Sequence, residues 1–479
     1  MSKVFKLDGA KLYPSLTLLI LFILMWFFLP VPKGVSLQGW HLFIIFILTI
    51  LALIINPLPM GAIAFCAISV VVLTKTLALK LTLTCFSSNI VWLIVSAFLL
   101  AKGFIKTGLG SRIAYYFVSV LGKSTLGLAY GLTAAEVLFA PLMPSNTARG
   151  AGIIYPIIDS LNSEYGSKPD ANPEKDTRKK IGSYLIKLLY QINVLTSAMF
   201  LTATAGNPLI VSIASSQGVV ISWGTWAVAC IVPGLISLIV LPMLLYVIYP
   251  PEMKSTPEAP AFAKAKLKDL GPLSSGEKIM LIVFALLLGL WVFGERYGID
   301  ATAAALFGMA ILLISGVLRW DDVISETRAW DTFIWMAVLI LLSDQLSKLG
   351  VTAFFGEKMQ KGVSSFSWLT VFLLVGLFYF YVHYFFASMT AHISAMYGTF
   401  LVVCMNAGVP AMYIALFMGV GSSLSAGLTH YGTGTAPVYF STKYVTITEW
   451  WRIGFIVSVV NLLIWGFIGG AWWKVLGYW

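Results

Sequence analysis

The sequence predicts an all-α polytopic membrane protein, with about 11 transmembrane helices and two re-entrant helical hairpins arranged as inverted repeats. Three observations predict it. The chain of 479 residues is 59% hydrophobic and 11% charged, with mean hydropathy +0.90, more apolar surface than a soluble core can bury. Apolar runs of roughly 17–25 residues recur from end to end. Two such runs are broken at their middle by polar residues, at corresponding places in the two halves.

In chain order, spans are expected at about 15–29, closed by Pro30-Val31-Pro32-Lys33, then at 40–55, stopped by Asn56-Pro57, and at 61–74 and 90–105. Ser111 to Gly122, with Arg112 and Lys123 at its ends, is expected along the membrane surface. Leu126 to Ile158 is a broken unit with Pro141, Pro144 and Gly150 at its middle. The loop Ser163–Lys180 ends in a basic run, Arg178-Lys179-Lys180, which favours the cytoplasmic side. Spans at 181–213, interrupted at Ala205-Gly206-Asn207-Pro208, and at 223–248 complete the first half. Pro250, Pro251, Pro257 and Pro260 exclude one continuous helix through the linker that follows.

The second half repeats this order, with spans at 278–292, 301–317 and 333–346, and a broken unit at 368–403. A span at 412–440, interrupted at Gly432-Thr433-Gly434, and one at 453–473 follow. Trp92 stands 53 residues before Ser145 (145 − 92), and Trp335 stands 53 before Ser388 (388 − 335). The expected organisation is an N-terminal span (1–35), a first repeat (36–250, hairpin about 126–160), a linker (251–276) and a second repeat (277–479, hairpin about 366–405). Five crossings and one hairpin per half make the second half insert the other way up. Lys348, Lys358 and Lys361 then fall outside, against the usual basic bias.

The net charge of +11 is explained by basic residues at span ends and inner loops, with no need for nucleic acid. Cys66, Cys85, Cys230 and Cys404 are scattered without metal-ligand spacing. The N-terminal Met-Ser-Lys-Val-Phe-Lys leads into an uncleaved span, so the chain reads as a multi-pass plasma-membrane protein with its N-terminus inside. Phosphate-loop, nucleophile-elbow, zinc and dinucleotide motifs are absent; no catalysis, metal or cofactor is expected.

The two breaks carry the chemistry. Ser145-Asn146-Thr147-Ala148-Arg149 and Ser388-Met389-Thr390-Ala391-His392 share the pattern Ser-x-Thr-Ala followed by a basic or titratable residue. A hairpin tip at mid-depth exposes the N-terminus of its returning half-helix, where unpaired N–H groups and the dipole attract an anion. Hydroxyls and the asparagine amide add donors, so two facing tips suit a substrate with two carboxylates. A single Ser-x-Thr is more often a helix cap; two at equivalent positions favour a site. Arg149 has two readings, an ion pair with Glu136 in the opposing arm or compensation by the substrate. His392 is a candidate for the second fixed or titratable charge. The interruptions around Gly206 and Gly432 would unwind two crossings beside the tips. His383 reads as structural and His41 as interfacial.

These motifs resemble the divalent anion/sodium symporter (DASS) family of di- and tricarboxylate transporters, over essentially the whole chain. Ser-Asn-Thr-Ala-Arg, Phe-Ala-Ser-x-x-Ala-His and Leu-Thr-x-Tyr-x-Thr-Gly look most like its bacterial antiporters and plastid 2-oxoglutarate/malate translocators. The resemblance implies a homodimer with a scaffold and moving transport domains, an elevator. It carries Ser145, Asn146 and Thr147, then Ser388, Met389 and Thr390, then Thr433 and Gly434, over as substrate-binding residues. Sodium-coupled members tend to have Asn where Met389 stands, and small or hydroxyl residues where Arg149 and His392 stand. That departure implies Arg149 and His392 compensate charge in place of cations, and favours sodium-independent exchange of dicarboxylates such as 2-oxoglutarate, malate, succinate or fumarate. The alternative is a sodium- or proton-coupled dicarboxylate or citrate symporter.

Overall fold

The computed structural model describes residues 9–363 and 366–479, and of 359–363 the backbone alone. The N-terminal Met-Ser-Lys-Val-Phe-Lys and the Lys361 side chain therefore lie outside the described residues. Everything described is helix or connection; the nearest approach to a strand is one isolated bridge, Ser124 to Ser255. In lipid this is what physics requires, since a helix satisfies its own backbone without water.

After α1 (Leu12–Phe28), the first half runs α2 (Leu37–Ile55), α3 (Met60–Leu73), α4 (Asn89–Thr107) and α5 (Leu109–Leu121). A hairpin follows, α6 (Thr125–Phe139) and α7 (146–164), then α8 (Gly182–Met199), α9 (Gly206–Ser216) and α10 (Trp223–Ile248). The linker helix α11 (Ala259–Asp269) leads to α12 (Ser275–Phe293), α13 (Ala301–Ile314), α14 (Thr327–Lys348) and α15 (Val351–Val363). The second hairpin is α16 (Trp368–Tyr381) and α17 (389–406), followed by α18 (Ala411–Leu424), α19 (Ala436–Ser441) and α20 (Ile447–Val475). Among the described residues eight helices are long and apolar enough to cross a membrane, with α1, α3, α5, α13 and α18 as shorter apolar helices.

The repeat is visible in lengths and offsets. Helices α2 and α12 have 19 residues each, and α3 and α13 have 14 each. Both returning hairpin arms contain a π-turn, Gly150–Ile154 and Ile393–Tyr397, offset by 243 residues (393 − 150). The hairpins begin at Thr125 and Trp368 with the same offset (368 − 125).

Hydrogen bonds show that the first hairpin enters and leaves on one side. Thr125 N at its start donates to Lys254 O (3.1 Å), while the hydroxyl of Tyr165, next after its last residue, donates to Glu258 Oε2 (3.4 Å). Both ends thus sit on the linker. Arg112 of α5 joins the same face through Glu277 (2.5 Å) and the carbonyl of Gly271 (2.9 Å). In the second hairpin, Trp368 at the start and Tyr413 just past the end both pack on Trp479, with ring centroids 6.2 and 5.3 Å away.

One boundary differs from the sequence expectation. Pro208 sits in the first turn of α9, as Pro260 and Pro437 do in α11 and α19, where a missing N–H is harmless and the fixed φ suits a helix. The first break therefore falls earlier than expected, at 200–205. The second, at 425–435, contains Gly432-Thr433-Gly434, and the linker is not one continuous helix but contains an 11-residue one.

The second break is packed tightly against α20. A Cβ on Gly454 would stand 2.7 Å from the carbonyl oxygens of Gly427 and Leu428, which are backbone atoms and cannot swing aside. Gly454→Ala should therefore lower stability by about 1–3 kcal/mol in detergent unfolding. Gly466→Ala, where nothing lies within 4 Å of the new Cβ, should be neutral or stabilising. Equal melting temperatures for the two variants would contradict this packing.

Candidate substrate-binding site

Each hairpin tip is built by a serine cap. Ser145 Oγ accepts from Ala148 N (3.1 Å), and Ser388 Oγ accepts from Ala391 N (3.3 Å). Each serine thereby holds an N–H of the first turn and starts a returning arm, 146–164 or 389–406, at the tip. The positive dipole ends of those arms point toward the same space.

The unwound segment after α18 closes the site from a third direction. Asn146 Nδ2 donates to Thr433 Oγ1 (2.6 Å), and Asn193 Nδ2 of α8 donates to the Asn146 carbonyl (3.0 Å). The unwound segment comes close to the first tip at Gly434, where an added Cβ would lie 2.9 Å from Thr147 Oγ1 and make that side chain shift. The sequence-predicted residues Ser145, Asn146, Thr147, Ser388, Met389, Thr390, Thr433 and Gly434 all line one cavity of about 670 Å³. That volume lies in the range of small-molecule sites.

Arg149 and His392 are not brought to the cavity. Both are fully buried behind the tips. The Arg149 Nε donates to Glu136 Oε1 at 3.0 Å, and its terminal nitrogens donate to Ser197 Oγ (3.0 Å) and to the carbonyls of Ala203 (2.5 Å) and Met143. Of the two readings of Arg149, this arrangement is the ion pair with Glu136. Asn193 Nδ2 (2.6 Å) and Thr196 Oγ1 (3.3 Å) also donate to the same Glu136 oxygen.

His392 faces His383, Nδ1 to Nδ1 at 3.2 Å, and His383 Nε2 lies 3.0 Å from the carbonyl of Gly432. A carbonyl only accepts, so His383 carries its proton on Nε2 and receives one from His392 Nδ1. Two neutral imidazoles satisfy this chain; two imidazolium rings would oppose N–H to N–H. His383 thus has the structural place expected of it, and His41 stacks on Trp26 with ring centroids 3.8 Å apart.

Sequence reasoning missed the wall opposite the tips. Met60, Phe98, Thr327, Arg328, Asp331, Thr332 and Trp335 also line the cavity, and Thr204 and Ala205 of the first break, an expected interruption, line it beside the tips. Asp331 Oδ1 accepts from Gly61 N (2.9 Å), capping α3 from another helix. A signal was present: Thr327, Arg328, Asp331 and Thr332 are polar residues at the start of a crossing. Asn193, Thr196 and Ser197 were signalled in the same way, as a polar stripe within an apolar span. Among the described residues no group of three or more His, Cys, Asp or Glu could hold a metal ion.

Inverted halves, broken crossings and two opposed tips around one polar cavity define a membrane transport protein. Residues 10–479 match the family described as the sodium:sulfate symporter transmembrane region. The chain belongs to this family, the divalent anion/sodium symporters. It is 50% identical to the protein YflS of Bacillus subtilis (strain 168), over 99% of this chain and 98% of that one. It is 46% identical to dicarboxylate transporter 1, chloroplastic, of Spinacia oleracea (98% and 83% covered). It is 34% identical to the L-tartrate/succinate antiporter of Escherichia coli (strain K12) (94% and 95% covered). Among solved structures, the YdaH transporter of Alcanivorax borkumensis shares the fold, with TM-score 0.53 and 13% identity over 82% of this chain and 87% of that one.

The buried pair makes a stability prediction. Arg149→Ala leaves Glu136 charged and dry, and Glu136→Gln leaves the guanidinium uncompensated, so each should cost about 3–5 kcal/mol. In a double-mutant cycle the combined variant should lose much less than the sum. Additive losses in detergent unfolding would show that the two side chains are not coupled.

Proposed function

We propose that this chain is a secondary active antiporter that exchanges dicarboxylates such as 2-oxoglutarate, malate, succinate and fumarate, without sodium, by an elevator movement. The observation that carries this is the convergence of two serine-capped helix N-termini on one cavity. Two carboxylates of one small molecule match two such ends. Ser145, Asn146 and Thr147 would grip one, and Ser388, Met389 and Thr390 the other, with Thr433 and Gly434 beside them. The names of the spinach and E. coli relatives support dicarboxylates as substrate and exchange as mode.

Sodium independence is supported by what stands behind the tips. The Arg149 guanidinium gathers a carboxylate, two backbone carbonyls and a hydroxyl, all oxygen acceptors. That is the kind of donor set a bound sodium ion would collect, so Arg149 acts in place of a cation by pinning the tip. His392 with His383 does the corresponding work behind the second tip, as a neutral pair. Met389 offers a thioether where an oxygen ligand would be needed.

The elevator reading is supported by where the polar ties lie. The hairpins are bonded to α8 and to the two breaks. The helices opposite are bonded to one another, through Asp331 to Gly61, Lys102 to Glu326 and Thr302 to Asn89. The first set would move with substrate and the second would form the scaffold of a homodimer. The linker face, with Arg178, Lys179 and Lys180, is taken as cytoplasmic, in a plasma or inner membrane.

Liposomes reconstituted with the protein test this. Labelled succinate should enter vesicles preloaded with a dicarboxylate, with or without sodium, and enter empty vesicles poorly. Sodium-driven or proton-driven uptake into empty vesicles would establish the symporter alternative instead. Thr147→Ala and Thr390→Ala should each weaken succinate binding by about 1–3 kcal/mol, the loss of one charge-assisted hydrogen bond. Parent-like binding by both folded variants would place the site elsewhere.

A further inference from the structure

Arg328 stands on the cavity wall opposite the hairpin tips, and its position is unusual for an arginine. It is the second residue of α14, in a first turn that contains no acid. A cation at a helix N-terminus meets the positive end of the dipole and is unfavourable there. Something other than helix stability accounts for its placement. Its side chain is about half exposed, at 50%, although it lies among cavity-lining residues.

The side chain is held by one edge only. Arg328 Nε donates to Glu326 Oε1 at 2.8 Å, and Glu326, itself buried, takes Lys102 on its other oxygen at 3.4 Å. Glu326 is thus shared between two cations and cannot neutralise Arg328 fully. The other acid on this wall, Asp331, is engaged with the first turn of α3. Among the described residues no hydrogen bond is formed by the two terminal guanidinium nitrogens of Arg328, the part that grips a carboxylate side-on.

The face is set by contacts. The end of α4 reaches the short turn before α14 through Lys106 and Asp322 (2.5 Å), and α5, next after α4, reaches the linker through Arg112. Arg328 therefore lies at the linker-side end of the cavity, on a helix bonded to the scaffold group and not to the tips.

From this we infer that Arg328 is a receiving charge for the anionic substrate on the linker face alone. It draws a dicarboxylate into the cavity and contacts the carboxylate that the tips have not yet taken. Because it belongs to α14, it stays behind when the tips carry the substrate across, and it plays no part at the opposite face. This rests on the exchange and elevator readings above.

The test is sided exchange of labelled succinate in proteoliposomes sorted for orientation, with the unsubstituted protein measured first. Arg328→Gln should raise the half-saturating succinate concentration roughly tenfold from the linker face and leave the other face unchanged. It should also flatten the salt dependence on that face, since a steering charge is screened by salt. Arg328→Lys keeps the steering charge but loses the planar fork, so it should be intermediate, and Lys264→Gln, an exposed change on the linker helix, should retain parent behaviour. Equal effects at both faces, no effect of Arg328→Gln, or a Lys variant as weak as the Gln variant would each overturn the inference. An unsubstituted protein that does not exchange dicarboxylates would overturn the transport reading as well, so the two failures are distinguishable.

Discussion

The guanidinium of Arg149 holds the first hairpin tip to the rest of the bundle, and the site depends on that attachment. A backbone that turns back inside hydrocarbon leaves carbonyls and N–H groups that lipid cannot satisfy. The Arg149 side chain spans three such places at once. It takes the carbonyl of Met143 in the turn, the carbonyl of Ala203 in the broken crossing and Ser197 on the helix before it, with Glu136 supplying the counter-charge. A buried cation is normally expensive; here its hydrogen-bonding groups meet acceptors that would otherwise be expensive too.

The second tip solves the same problem with different residues at the same register. Position 392 follows 149 by 243 residues (392 − 149), and Tyr379 follows Glu136 by the same number (379 − 136). In the first half these two positions form an ion pair. In the second they form a ring stack, with centroids 4.4 Å apart, and His383 replaces the carboxylate as polar partner. The backbone repeat is thus kept while its chemistry diverges. One half uses a charge and a counter-charge, the other two uncharged rings tied to the Gly432 carbonyl.

Much of this was legible in the sequence because the features are local. Span positions follow from apolar runs, and the tips follow from Ser-x-Thr-Ala at corresponding breaks in two of those runs. The eight motif residues do line one cavity, since equivalent positions in two inverted halves face each other. What was not legible depends on rotation and long-range contact. Arg149 four residues after Ser145 lies just over one turn on, and sequence spacing does not say whether its long side chain reaches forward to substrate or back to Glu136. Arg328 and Asp331 were overlooked because they lie at a span end, where charged residues ordinarily meet water. Pro208 misled for a simpler reason: a proline is compatible with a first turn as well as with a break.

The arrangement also changes where the coupling of an exchanger would come from. With Arg149 matched by Glu136 and the imidazoles neutral, the protein behind the tips carries little net charge. Moving an empty site is then not opposed by a bare cation. The tips differ, however, in how well they satisfy themselves. In the first, Asn146 Oδ1 accepts from the Thr147 N–H (2.9 Å), so the tip supplies part of what a carboxylate would supply. In the second, Met389 occupies the corresponding position, has no such oxygen, and the Thr390 N–H has no protein acceptor among the described residues. An unpaired N–H can stay in a wet cavity at little cost, but drying it is unfavourable by roughly 1–3 kcal/mol per group. A substrate carboxylate removes that penalty, and the empty site retains it throughout the crossing. On this argument the methionine, and not the neutralised arginine, would tie movement to the presence of substrate.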